Sequence, residues 1–138
     1  MSNRTFTIIK PDSVRKRNFG KIISRIEAEG FEVLGLKKVA LGRAQAERFY
    51  AVHRERPFFG GLVDYMTSGP VYVAALQRDN AVAELRKLMG ATDPAKADAG
   101  TIRKEFGESI EQNAIHGSDS DENASIEIAF FFAQSELV

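Results

Sequence analysis

The chain has 138 residues, no cysteine, and 19 Lys+Arg against 19 Asp+Glu. Residues 1–138 are therefore expected to form a single domain around one core. Balanced charge excludes a field that would recruit nucleic acid or an anionic membrane wholesale, and the missing cysteine excludes disulfides, a thiolate nucleophile and cysteine-bound metal. The opening M-S-N-R-T-F-T-I-I-K lacks the apolar segment of a signal peptide. No run reaches the roughly 18 apolar residues of a membrane span, so a cytoplasmic chain without a membrane partner is expected.

Thr5–Lys10 (T-F-T-I-I-K) is rich in β-branched and aromatic residues and reads as a strand, central because Ile8 and Ile9 are both apolar. Pro11 stops the ladder and leaves Lys10 at the strand's carboxyl end. Phe19, Ile22, Ile23 and Ile26 recur at helical spacing, which predicts a helix over Phe19–Glu29. Asn18 is its expected N-cap and Gly30 its left-handed C-cap. Phe31–Leu41 reads as a second strand, with a bulge at Gly35.

Arg43–Arg56 and Phe58–Met66 read as two short helices meeting at Pro57, a helical hairpin with Phe58 and Phe59 at its tip. These aromatics are core anchors or, at one position, a plate for a nucleobase. Val71–Gln77 is a third strand, apolar on both faces. Asn80 caps a helix over Ala81–Met89 that turns Val82, Leu85, Leu88 and Met89 inward, leaves Arg86 on the flank and ends at Gly90. Ala91–Gly100 holds no large apolar residue and is a loop long enough to ask for a purpose. Thr101–Phe106 is a short helix with Arg103 turned away from Ile102 and Phe106. Asp121–Ala133 starts as a helix behind a Ser120/Asp121 cap, and its Phe130–Phe132 end fits helix or strand. The last residues, A-Q-S-E-L-V, are read as a possible edge segment. This order predicts an α+β split β-α-β sandwich with helices on one face of the sheet.

Between those helices lies Asn113–Asp121, N-A-I-H-G-S-D-S-D, with one of the two histidines. Imidazole, with a reference pKa of about 6.5, offers a neutral lone pair near pH 7. Gly117 is read as letting a bulky group approach it, and Ser118 to Asp121 as a helix start. Read alone, His116 is either a nucleophile or part of a turn. No Gly-rich phosphate loop, dinucleotide fingerprint or protein-kinase motif is present. Phosphate would have to be gripped by side chains, with Lys10, Arg86 and Arg103 as cations and Thr92 and Asn113 as neutral donors. No protein-built metal site is evident, since His53 and His116 stand far apart and the carboxylates lack ligand spacing. Any Mg²⁺ would be held mainly by substrate phosphates.

The motif N-A-I-H-G-S-D-S resembles the active-site segment of the nucleoside diphosphate kinases. T-I-I-K-P-D, R-P-F-F-G-G-L-V, Y-M-T-S-G-P and G-A-T-D-P-A-K-A-D-A-G-T-I-R resemble further segments of that family, in the same order. The resemblance spans nearly the whole chain. It implies a ferredoxin-like fold: a four-stranded antiparallel sheet covered by helices, with an inserted helical hairpin. It also implies transfer of a terminal phosphate from a nucleoside triphosphate to a nucleoside diphosphate, with broad base choice and Mg²⁺. His116 would be the nucleophile, phosphorylated on its pros nitrogen, with Glu127 and Ser118 orienting the ring. That contact needs the last helix to fold back under the loop. Lys10, Tyr50, Arg86, Thr92, Arg103 and Asn113 match positions that contact phosphate and sugar. Phe58 matches the base-stacking position and Ile110 closes the base's other side. Homo-oligomers, hexamers or tetramers, are implied, with Pro94 in a loop packed between subunits. Ala99 stands where some relatives carry a second loop proline. Two other classes stay open on the residues alone: a nucleotide- or RNA-sensing module that does not need His116, and a phosphorelay carrier fed by a protein donor.

Overall fold

The computed structural model describes residues 3–138. Its elements are β1 (Arg4–Ile9), α1 (Pro11–Arg15), α2 (Phe19–Ala28), β2 (Glu32–Val39), α3 (Arg43–Phe49), α4 (Phe59–Met66), β3 (Val71–Gln77), α5 (Ala81–Met89), α6 (Ile102–Phe106), β4 (Ile115–Gly117) and α7 (Asp121–Phe131). The strands form one antiparallel sheet in the order β2-β3-β1-β4. This is the ferredoxin-like arrangement expected, with α3 and α4 as the inserted hairpin.

Strand β1 is internal, and alternation along it separates two apolar layers. Phe6 and Ile8 pack with Met66 of α4 and with Ile128 and Phe131 of α7. Ile9, on the opposite face, packs with Ile22 and Ile26 of α2, Leu85 and Met89 of α5, and Ile102 of α6. Helices therefore cover both faces, not the one face predicted. A strand that is apolar on both sides requires two covers, as β3 also shows with Val73 and Leu76 both fully buried.

Several local expectations change or are decided. Pro11 does more than end β1: it sits in the first turn of α1, where its missing N–H and fixed φ are suited. The predicted Arg43–Arg56 helix stops at Phe49 and gives way to a 3₁₀ turn over Ala51–His53. Asn18 and Asn80 stand at N-cap positions without a side-chain cap hydrogen bond, whereas Ser120 does accept one from the Asn123 amide at 3.1 Å. The helix at Asp121 runs to Phe131, and Phe132 turns extended. The final residues form a 3₁₀ turn, not a strand, tied to β2 by the Val138 amide donating to the Leu34 carbonyl at 3.0 Å. The expected irregularity at Gly35 is present as a register shift between Val33 and Gly35. A Cβ there would stand 2.9 Å from the Phe132 ring, so glycine is what lets that ring close the layer.

Candidate active site

The motif around His116 is partly sheet. His116 lies on β4 opposite Ile8, and its carbonyl accepts from Thr7 Oγ1 at 2.7 Å. Two edge-on aromatic rings, Phe49 and Phe6, flank the imidazole at centroid distances of 5.9 and 6.2 Å. Just before it, Ala114 takes φ +75°, an uncommon backbone state for a side-chain-bearing residue. Its amide donates to Asp12 Oδ2 at 3.1 Å and its carbonyl accepts from the Lys10 amide at 2.9 Å. Asp12 is itself held by the Tyr65 hydroxyl, which donates to Oδ1 and accepts from the Asp12 amide. The start of α1 and a tyrosine of α4 thus hold the turn that aims His116.

Helix α7 folds back beneath the loop, as the Glu127 contact requires. Glu127 Oε1 stands 2.9 Å from His116 Nε2, and Ser118 Oγ donates to the same oxygen at 2.7 Å. A carboxylate oxygen accepts only, so the ring proton belongs on Nε2 and Nδ1 keeps its lone pair. Ser118 is fully buried behind this pair and touches no open space, which fits an orienting group rather than a ligand.

His116 stands where two clefts meet. The first, about 450 Å³, is lined by Lys10, Tyr50, Thr92, Arg103 and Asn113, with Phe58 and Ile110 at its mouth. The second, about 250 Å³, shares Tyr50, Thr92, Arg103 and His116 and adds Arg86 and Glu127. Every predicted site residue except the buried Ser118 therefore lines one cleft or both. Phe58 and Ile110 are 45% and 59% exposed, unusual for large apolar side chains and suited to covering a flat ligand.

The cations are buried for a reason. Lys10 is only 9% exposed, and its Nζ donates to Asn113 Oδ1 at 2.7 Å. Burial, then the neighbouring Arg103 guanidinium, lowers its pKa to about 8. Arg103 is no solvated helix face: it too is 9% exposed, and it lines the clefts while Ile102 and Phe106 enter the core. Its Nη1 donates to the Gly90 carbonyl at 3.2 Å and its Nη2 to that of Ile115 at 2.8 Å, while Nε has no partner. Burial and nearby Arg86 bring its pKa down to about 10, so it remains charged at neutral pH. Asn113 Nδ2 donates to the Thr92 carbonyl at 3.0 Å, which ties the loop after α5 to the motif. The Tyr50 hydroxyl is buried without a partner, and burial raises its pKa. Lys10, Arg86 and Arg103 reach the two clefts with an unpartnered Tyr50 hydroxyl and Arg103 Nε, a set of cations and spare donors that suits an anion, beside the carboxylates of Glu111, Asp119 and Glu127.

Gly117 lines the second cleft beside His116 and also serves a packing role that was not predicted. A Cβ there would stand 2.5 Å from Met89 Sδ and 3.2 Å from Leu85 Cδ2, so its bareness lets β4 dock on α5. Sequence reasoning also passed over Asp12 and Tyr65, which act through the backbone of Ala114, and His53 and Glu111, which line the first cleft. Asp12 lies in T-I-I-K-P-D, but nothing in that string foretells an acceptor for an amide 102 residues away.

Comparison with known proteins agrees with this geometry. The family model described as nucleoside diphosphate kinase matches residues 3–137. A nucleoside diphosphate kinase of Granulibacter bethesdensis is 62% identical over 135 residues, covering 98% of this chain and 96% of that one. One from Nitratiruptor sp. is 61% identical, covering 98% of each. Among solved structures, the Aquifex aeolicus nucleoside diphosphate kinase superposes with a TM-score of 0.97 at 43% identity, over the whole of both chains. The Halobacterium salinarum enzyme in complex with CDP gives 0.95 at 41% identity, over all of this chain and 92% of that one. With the match running from residue 3 to residue 137 and the histidine, carboxylate and buried cations gathered around two adjoining clefts, the chain belongs to the nucleoside diphosphate kinase family.

Proposed function

We propose that the family's reaction, transfer of a terminal phosphate from a nucleoside triphosphate to a nucleoside diphosphate, proceeds here in two half-reactions through a phosphohistidine on Nδ1 of His116. The observation that carries this reading is the Nε2–Glu127 contact at 2.9 Å, which leaves Nδ1 as the free ring nitrogen. In the first half-reaction the Nδ1 lone pair forms a bond to the γ-phosphorus. The bond from that phosphorus to the β–γ bridging oxygen breaks, and the nucleoside diphosphate departs with the electron pair. The ring gains positive charge, which Glu127 stabilises while Ser118 holds the carboxylate in place. A second nucleoside diphosphate reverses the step from the same cleft.

Phosphoryl transfer needs alignment and charge neutralisation more than covalent assistance. Lys10, Arg86 and Arg103 take the phosphate oxygens, with Thr92 and Tyr50 adding hydroxyl donors. Asn113 positions Lys10 and, with it, the sugar. Phe58 and Ile110 sandwich the base, and stacking of this kind accepts any base. Mg²⁺ belongs to the nucleotide in this reading. Among the described residues no group of three or more acidic or histidine side chains gathers in a metal-binding arrangement, and Arg86 and Arg103 face the cleft beside His116. Bound through the phosphates, the ion would neutralise charge on the transferring group.

The reading extends to the whole chain as one kinase domain, to a hexameric or tetrameric assembly with the Pro94 loop at a subunit contact, and to a cytoplasmic setting without a required nucleic acid. Among the described residues no helix is long and apolar enough to cross a membrane. Incubation with [γ-³²P]ATP alone should label the protein in an acid-labile, base-stable form, and His116→Gln should abolish that label. Equal labelling of the His116→Gln protein would remove His116 from the mechanism.

A further inference from the structure

The residues between α6 and β4 form a closed turn. The amides of Glu108 and Ser109 both donate to the Gln112 carbonyl, at 2.8 and 3.3 Å, and Glu108 is paired with Lys16. Ile110 and Glu111 stand at its apex, and both line the first cleft with Phe58. From that apex Glu111 reaches toward the first turn of α4, where its Oε1 lies 3.9 Å from the position a Cβ on Gly61 would take. The carboxylate therefore stands between the loop that carries Ile110 and the helix that begins just after Phe58. It makes no hydrogen bond or ion pair with any described residue. It also pulls on the Lys10 ammonium, though less than Asp12 does, so it faces the same cleft as that cation.

An unpartnered carboxylate opposes the gathering of a polyanion. Its place beside the stacking plate makes sense if the ligand brings a donor there. Resting on the nucleotide reading above, we propose that Glu111 is a specificity residue that accepts a hydrogen bond from an exocyclic amino group of the stacked base. An ionised carboxylate only accepts. Cytosine presents an amino donor where uracil presents a carbonyl oxygen. Glu111 thus attracts one and repels the other, while stacking on Phe58 is common to both. The result is a preference superimposed on broad acceptance.

The test is single-turnover dephosphorylation of the phosphoenzyme by CDP and by UDP, with the intact chain and with Glu111→Gln and Phe58→Ala. The wild-type chain should favour CDP in kcat/KM by about five- to tenfold, the scale of one charge-assisted hydrogen bond at an exposed position. In Glu111→Gln the ratio should fall close to one, because a carboxamide can turn either a donor or an acceptor to the ring. Phe58→Ala should weaken both nucleotides and keep the direction of the ratio. A wild-type ratio near one, or a ratio unchanged in Glu111→Gln, overturns the proposal. So does a Glu111→Gln effect equal for CDP and UDP but absent for their 2′-deoxy forms, which would place the carboxylate on the ribose. If Phe58→Ala weakens neither nucleotide, it is the seating of the base in this cleft that fails.

Discussion

Replacing Lys10 by Met separates what the site needs from what the fold needs. The ammonium sits at 9% exposure beside a second buried cation, and its pKa falls from 10.5 to about 8. At about 1.4 kcal/mol per pH unit, that fall means that keeping Lys10 charged costs the empty protein roughly 3 kcal/mol at pH 7. Methionine fills similar space without the charge. It leaves Asn113 Oδ1 without its 2.7 Å donor, a loss of about 1–3 kcal/mol. The net change lies between about zero and 2 kcal/mol of stabilisation, or up to about 6 °C in Tm for a chain of this size. Meanwhile kcat/KM should fall by about a hundredfold or more, because a cation on the transferring phosphate is gone.

The pH dependence has a definite sign. Between pH 8 and 10.5 the unfolded chain holds a proton on Lys10 that the folded chain has released. Wild-type stability therefore gains from this group as pH rises through that window. The advantage of the Met variant should be full below pH 8 and gone above 10.5. Urea denaturation of the two proteins, at one protein concentration across pH 7 to 10.5, measures it. A variant several degrees less stable at pH 7, or an advantage that does not shrink with pH, would refute the reasoning.

Phe58→Ala should raise KM for purine and pyrimidine diphosphates by a common factor equivalent to about 1–3 kcal/mol, measurable by steady-state kinetics; a loss confined to purines or to pyrimidines would contradict the plate. Arg103→Lys should lower turnover, since a single ammonium cannot serve the Gly90 and Ile115 carbonyls and a phosphate together; unchanged kinetics would make Arg103 structural only. Gly117→Ala should destabilise the fold by about 1–3 kcal/mol through its clash with Met89, and its cost should be smaller in a Met89→Ala background, where the clash is gone; denaturation of both single variants and the double variant checks the non-additivity.

The long periodic elements were legible because their apolar spacing is local. Ile22 and Ile26, or Leu85 and Met89, report a buried helix face whatever lies opposite. The two-sided cover of the sheet was less visible, because Ile8 and Ile9 declare both faces apolar without saying what packs on each. Family resemblance carried the site residues. Of these His116, the phosphate-gripping cations, the donors Thr92 and Asn113 and the aromatic Phe58 had an independent chemical reading, and the burial of Arg103 was not part of it. Asp12, Tyr65 and the left-handed Ala114 escaped because their function is a set of backbone hydrogen bonds across the fold. The packing role of Gly117 escaped because the side chain it makes room for, Met89, comes from a distant helix.

The central claim is that Glu127 fixes the imidazole so that Nδ1 reacts. Phosphorus-31 NMR of the denatured, base-stabilised phosphoenzyme, against the two phosphohistidine isomers, tests it most directly. The geometry predicts a single resonance at the shift of the Nδ1 isomer, lost in His116→Gln. A resonance at the Nε2 isomer's shift would contradict it.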